Sequence, residues 1–111
     1  MDPFIGFIGG GNMASSLIAG LIRQGTPGAS LGVAEPDAEK RQQLATIPGL
    51  LTTPDNALIA QRADVLVLAV KPQMLKAVCL ALREPLAGRN PLVISIAAGI
   101  GIDALSRWLG P

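Results

Sequence analysis

Short apolar runs alternate with amphipathic stretches along the whole chain. Residues 4–8, FIGFI, are a brief apolar run rich in strand formers. From Met13 onward the apolar positions Met13, Leu17 and Leu21, with Ile18 and Ile22, recur at helical spacing. This predicts a helix over 13–24 with Gly25 as its stop. A second short strand is expected at 31–35. Pro36-Asp37 then opens a polar helix over 37–46. Asp37 and Glu39 lie in its first turn and Lys40 and Arg41 after them, the polarity that suits the helix dipole. Residues 50–52 read as a brief third strand. Thr53-Pro54 resembles an N-cap followed by Pro at the first helical position, opening a helix to about residue 61. Two continuous apolar runs follow, DVLVLAV at 64–70 and LVISI at 92–96, as expected of strands covered on both faces. Between them a helix over 73–84 is preceded by Pro72 and stopped by Pro85. Residues 101–109 begin one more helix.

Strand and helix in alternation, with all-apolar strands, predicts an α/β fold. It is a Rossmann-type doubly wound parallel sheet in three layers, built as one domain over residues 1–111. Sheets of this type often continue to a sixth strand. The chain stops after WLGP, just past a helix, so the reading expects a piece of a longer protein.

The glycine cluster Gly9-Gly10-Gly11 sits between the first strand and the first helix. Glycine weakens either element, so its place at the junction needs a reason. Gly9, Gly11 and Ala14 spell G-x-G-x-x-A in a strand–turn–helix context, which fits a dinucleotide site. Gly9 permits the tight turn. Gly11 lets a pyrophosphate approach the backbone. Ala14 lets the helix pack close to the strand. The helix N-terminus then points unpaired N–H groups at the phosphates.

Glu35 stands 24 positions after Gly11, near the spacing at which an acidic residue bonds a ribose 2′-hydroxyl. That leans towards NADH, because a carboxylate repels a 2′-phosphate. Arg41 is close enough in sequence to swing towards such a phosphate, so NADPH stays open. The ends of the later strands belong to the same cleft, namely Ala69-Val70-Lys71-Pro72 and Ser95-Ile96-Ala97-Ala98-Gly99. The second is small and apolar and suits a flat nicotinamide. Lys71 is the cation at this edge, placed for a phosphate, a substrate carboxylate or solvent.

Composition narrows the function classes. Charged residues are 15% of the chain, the formal net charge is +1, and aromatics are two Phe and one Trp. Neither a nucleic-acid surface nor a base-stacking platform is expected. One cysteine, Cys79, and no histidine leave no ordinary zinc, haem or multi-thiolate site, and no metal is expected. Cys79 shares a helical face with Leu75, Val78 and Leu82 and reads as a buried small hydrophobe. The apolar segments fall short of the roughly 18 residues of a membrane span. The reading is of a cytoplasmic protein without membrane partners.

GFIGGGNMA, ADVLVLAVKPQ and VISIAAGI, in that order and spacing, resemble the N-terminal domain of the pyrroline-5-carboxylate reductase family. The first block is shared with many dinucleotide-binding proteins, whereas AVKPQ followed by SIAAGI is far more specific. The resemblance implies reduction of 1-pyrroline-5-carboxylate to L-proline with NADPH or NADH, the last step of proline synthesis. It implies that Phe7, Ile8, Gly9, Gly10, Gly11, Asn12 and Met13 wrap the pyrophosphate, with Gly10, Asn12 and Met13 prominent. Glu35, Asp37 and Asn56 would lie by the adenosine. Ala69, Val70, Lys71 and Pro72 would run towards the nicotinamide, and Ala97 and Ala98 would pack near it. It also implies a helical C-terminal domain, not in this chain, that forms a homo-oligomer and supplies much of the substrate pocket. Without it the isolated chain is expected to bind cofactor and to catalyse poorly or not at all.

The chain departs from the family at Gly10, where members often carry Ala, and at Glu35, where many carry Ser or Asn. Because a cyclic imine is basic enough to be largely protonated near neutral pH, no strong enzymic acid is demanded. No catalytic residue is assigned. The alternatives are a stand-alone nucleotide-binding module and another reductase with a similar front end, such as a coenzyme F420-dependent NADP reductase. AVKPQ and SIAAGI argue against the latter.

Overall fold

The computed structural model describes residues 3–96 and 102–109. Ten main elements alternate: β1 (Ile5–Ile8), α1 (Asn12–Arg23), β2 (Leu31–Ala34), α2 (Ala38–Leu44), β3 (Leu51–Thr53), α3 (Asn56–Arg62), β4 (Val65–Leu68), α4 (Pro72–Leu82), β5 (Leu92–Ser95) and α5 (Ile102–Leu109). The five strands form one sheet in the order β3-β2-β1-β4-β5, and every neighbouring pair is parallel. This is the Rossmann-type arrangement that the alternation predicts. Ile8 is in register with Ala34 on one side and Leu68 on the other. The carboxyl ends of β2, β1 and β4 are therefore level, and the loops that follow them share one edge.

Side chains of a strand alternate between faces, and here the alternation builds two cores. Phe7, Leu31, Val33 and Val67 point to one side and meet Ala14 and Ile18 of α1 and Leu44 of α2. Ile8, Ala34, Leu66 and Leu68 point to the other and meet Ile59 and Ala60 of α3 and Leu75, Cys79 and Leu82 of α4. Leu105, Trp108 and Leu109 of α5 pack against that second core. The Cys79 thiol is fully buried, and burial pushes its pKa up. It is a core side chain, as its helical face predicts. Among the described residues no helix is long and apolar enough to cross a membrane.

Two strand glycines set how close α3 comes. A Cβ on Gly6 would lie 2.5 Å from Ile59 Cγ2, and one on Gly32 would lie 2.7 Å from Phe4 Cζ and 3.0 Å from Ile59 Cδ1. The bare backbone of β1 and β2 is thus the seat of Ile59. The glycine motif does not signal this seat.

Three expectations need correction. Thr53 does not cap α3. It is the last residue of β3, paired with Ala34, and its carbonyl accepts from Glu35 N at 2.8 Å. A residue held in the ladder cannot also start a helix. Asp55 caps instead, its Oδ1 accepting from Ala57 N at 2.9 Å. Next, α4 begins at Pro72, with Lys71 as its cap, and it ends at Leu82. The residue before Pro85 is disfavoured in helical conformation, which accounts for the earlier stop. Lastly, β5 is apolar but not covered on both faces. It is an edge strand, and Leu92 and Ile94 are 62% and 43% exposed. Of its side chains Val93 packs against the α3–α4 core. Leu92→Thr is accordingly expected to change stability by less than about 0.5 kcal/mol. A urea-unfolding shift above about 1 kcal/mol would show that this face is covered.

Two arginines tie helix ends together. Arg83 Nε and Nη2 donate to the carbonyls of Trp108 (2.8 Å) and Arg107 (2.5 Å) at the end of α5. Arg89 donates to the carbonyls of Ala60 (2.9 Å), Gln61 and Ala63 (2.9 Å) around the end of α3. Cations at helix C-termini satisfy carbonyls that have no intrahelical donor.

Candidate functional site

The site is built where β1 and β4 run side by side and their helices leave towards opposite faces. Such a reversal of strand order opens a crevice beyond the carboxyl ends. After Ile8 the chain bends at Gly9, whose φ of +100° lies in the region that side chains avoid. Gly9 N donates to Ala34 O at 2.8 Å. A Cβ there would meet Ala69 O at 2.7 Å. The bend is therefore wedged between the ends of β2 and β4.

Two residues on, Gly11 is extended (φ −74°, ψ −168°) and is the N-cap of α1. It offers no capping side chain, and the first turn holds no acidic residue. The first-turn amides of Asn12, Met13 and Ala14 precede any intrahelical acceptor. A Cβ on Gly11 would have nothing within 4 Å. Open space in front of a bare helix N-terminus suits an anion. Ala14, 1% exposed, is the contact that lets α1 lie close to the sheet.

Glu35 follows β2 and is 6% exposed. Its carboxylate accepts from Gly10 N (2.8 Å, Oε1) and from Asp37 N (2.9 Å, Oε2). It is turned under the glycine bend. Arg41 Nη1 donates to the carbonyls of Glu35 (2.7 Å) and Pro36 (2.8 Å), so its guanidinium sits at the end of β2. Asp37 is the N-cap of α2, its Oδ1 accepting from Glu39 N (2.9 Å) and Lys40 N (3.4 Å). Asn56 is the first residue of α3, after β3, on the outer side of β2.

On the other side of the crevice, Ala69 N donates to Ile8 O at 2.8 Å. Ala69 and Val70 are half-buried, while Lys71 and Pro72 are exposed. Ala97 and Ala98 lie outside the described residues. The structure thus gathers Gly9, Gly10, Gly11, Asn12, Met13, Glu35, Asp37 and the 69–72 turn along one edge. Phe7 and Ile8 belong to the core, each 1% exposed, and position the bend without facing the crevice. The Gly10 amide is already taken by Glu35. Spacing found Glu35 but not the direction of its carboxylate, which depends on a contact 25 residues away in sequence.

Against known proteins, residues 4–99 match the family model of NADP oxidoreductases, coenzyme F420-dependent. The pyrroline-5-carboxylate reductase of Pseudomonas aeruginosa is 48% identical over 108 residues, covering 97% of this chain and 39% of that protein. That of Vibrio alginolyticus is 43% identical, covering 95% and 38%. Among solved structures, a pyrroline-5-carboxylate reductase from Coxiella burnetii superposes with a TM-score of 0.93 at 41% identity, over 97% of this chain and 40% of its own. A Plasmodium falciparum pyrroline carboxylate reductase with NADP bound gives 0.81 at 26% identity, over 98% and 38%. The chain spans about two fifths of the length of these relatives. The family match starts just before β1 and runs past β5, so it takes in every strand of the sheet and the glycine bend with them. On that extent the chain belongs to the coenzyme F420-dependent NADP oxidoreductase family.

Proposed function

We propose that this chain is the cofactor-binding part of a pyrroline-5-carboxylate reductase, which reduces 1-pyrroline-5-carboxylate to L-proline with NADPH or NADH. The observation that carries the reading is the uncapped N-terminus of α1 behind Gly11, at the switch point between β1 and β4. The relatives named above support the reaction, and AVKPQ and SIAAGI support it over other members of the family. The residues fit a dinucleotide. Gly11 leaves room that a Cβ would fill, and Gly9 holds the bend away from that room.

When bound, the nicotinamide supplies the hydride. The chain's own residues bind and orient. In this reading Gly11, Asn12 and Met13 hold the diphosphate with backbone amides and the dipole of α1. Asp37, Arg41 and Asn56 flank the adenosine. Ala69, Val70, Lys71 and Pro72, with Ala97 and Ala98, line the way to the nicotinamide. Holding the two reactants in register is the contribution asked of the protein. No described side chain is assigned a proton-transfer role. The relatives have more than half of their length outside the part this chain spans. We assign the substrate pocket and the homo-oligomer contacts to that remainder.

Calorimetric titration of the 111-residue chain with NADPH and NADH tests the first part, and saturable binding of at least one is expected. A spectrophotometric assay with 1-pyrroline-5-carboxylate tests the second, and only a trace of cofactor oxidation is expected. A rate like that of a full-length relative would show that this chain holds the whole active site.

A further inference from the structure

Glu35 has every polar atom committed. Its N–H donates to Thr53 O (2.8 Å) and its carbonyl accepts from Arg41 Nη1 (2.7 Å). Its two carboxylate oxygens accept from Gly10 N and Asp37 N. One side chain therefore joins the glycine bend after β1 to the turn that opens α2. The Leu44 side chain and the Glu35 stem together crowd position 10. A Cβ on Gly10 would stand 3.2 Å from Glu35 Cβ and 3.3 Å from Cγ, and 2.8 Å from Leu44 Cδ1. Gly10 is buried as well. The bare backbone at 10 lets Leu44 and the stem of Glu35 pack against it.

We propose that Glu35 is a positioning residue of the glycine bend and not the reader of the adenosine ribose. This rests on the dinucleotide reading above. Bonds from N–H groups to a carboxylate are stronger than neutral ones, and leaving such a group buried and unpaired is costly. The carboxylate thus holds the Gly10 amide inward and fixes the path from Gly9 to Gly11. That path aims the first turn of α1 at the crevice. Each carboxylate oxygen keeps a second lone pair, but the side chain is 6% exposed, so a ribose hydroxyl reaches it only where its cover moves aside. The choice between NADH and NADPH then falls to other groups, and Glu35 serves both cofactors alike.

The test compares wild type, Glu35→Ala and Glu35→Gln. Amide hydrogen exchange without cofactor gives the first readout. In Glu35→Ala the Gly10 amide is expected to exchange at least ~10-fold faster, while the Phe7 amide in β1 is unchanged, so a general loss of stability is told apart. Titration gives the second. Both NADH and NADPH are expected to weaken by a similar factor, about tenfold, equivalent to about 1.4 kcal/mol. Glu35→Gln keeps one acceptor and the side-chain volume, so it should fall between the two. Loss of NADH affinity with a gain for NADPH would make Glu35 the ribose reader and overturn the proposal. Unchanged affinities, or a Gly10 amide unprotected in wild type, overturn it as well. If wild type binds neither cofactor yet protects Gly10, the clamp stands and the dinucleotide reading fails.

Discussion

Gly11→Ala is expected to abolish most cofactor binding while leaving the fold as stable as before. The two halves of this outcome come from two features of one residue. Gly11 sits at φ −74° and ψ −168°, a conformation that any residue adopts. An added Cβ would touch nothing within 4 Å. Replacing Gly by Ala at a compatible position also narrows the unfolded ensemble, which adds up to about 1 kcal/mol of stability. The thermal midpoint should therefore hold or rise slightly. The same Cβ would stand in front of the first-turn amides of α1, where a diphosphate must approach the backbone. Affinity for NADPH and NADH should fall on the order of a hundredfold, about 2.7 kcal/mol. Equal affinity in wild type and Gly11→Ala would mean that no ligand meets this helix end, and the site assignment would be lost.

Gly9→Ala, two residues away, should do the opposite first: it should damage folding. Gly9 holds φ +100°, where a Cβ brings strain of about 1–2 kcal/mol. That Cβ would also lie 2.7 Å from Ala69 O and 3.0 Å from Ala69 C. The obstacle is backbone at the end of β4, and it cannot move aside without disturbing the bond from Ala69 N to Ile8 O. Overpacking of this kind costs about 1–3 kcal/mol more. A total near 3 kcal/mol is a large share of the roughly 5–15 kcal/mol that holds a domain of this size together. Chemical denaturation should show the lower midpoint with little change in slope. A variant as stable as wild type would show that the bend is not wedged between β2 and β4. Together the two variants separate a glycine needed for the turn from a glycine needed for the ligand.

The candidate site was legible to different depths. The bend and the helix behind it could be read from Gly9, Gly11 and Ala14, because the motif is local and each glycine answers a local need. Asp37 was read as an acidic first-turn residue and, by the resemblance, as a neighbour of the adenosine, but not as the cap of α2 that its carboxylate closes. Glu35 was found by spacing, but not the turn of its carboxylate towards Gly10 N and Asp37 N. Spacing along the chain cannot say that its partner would be the Gly10 amide, since the two meet only when β1 and β2 pair. The start of α3 was misplaced for a similar reason, because pairing with Ala34 held Thr53 in the sheet and passed the cap to Asp55.

The chain's own pattern of apolar runs determined which segments are strands, which are helices and that the strands lie parallel. These follow from periodicity and from glycine or proline at each junction, and such signals act over a few residues. Tertiary structure alone decided the strand order, the bare seat of Ile59 on Gly6 and Gly32, the arginine ties at the ends of α3 and α5, and the exposed outer face of β5. It also decided that the Glu35 carboxylate turns beneath the glycine bend. Each of these depends on groups far apart in sequence competing for one volume or one hydrogen bond, and that competition exists only once the chain has closed on itself.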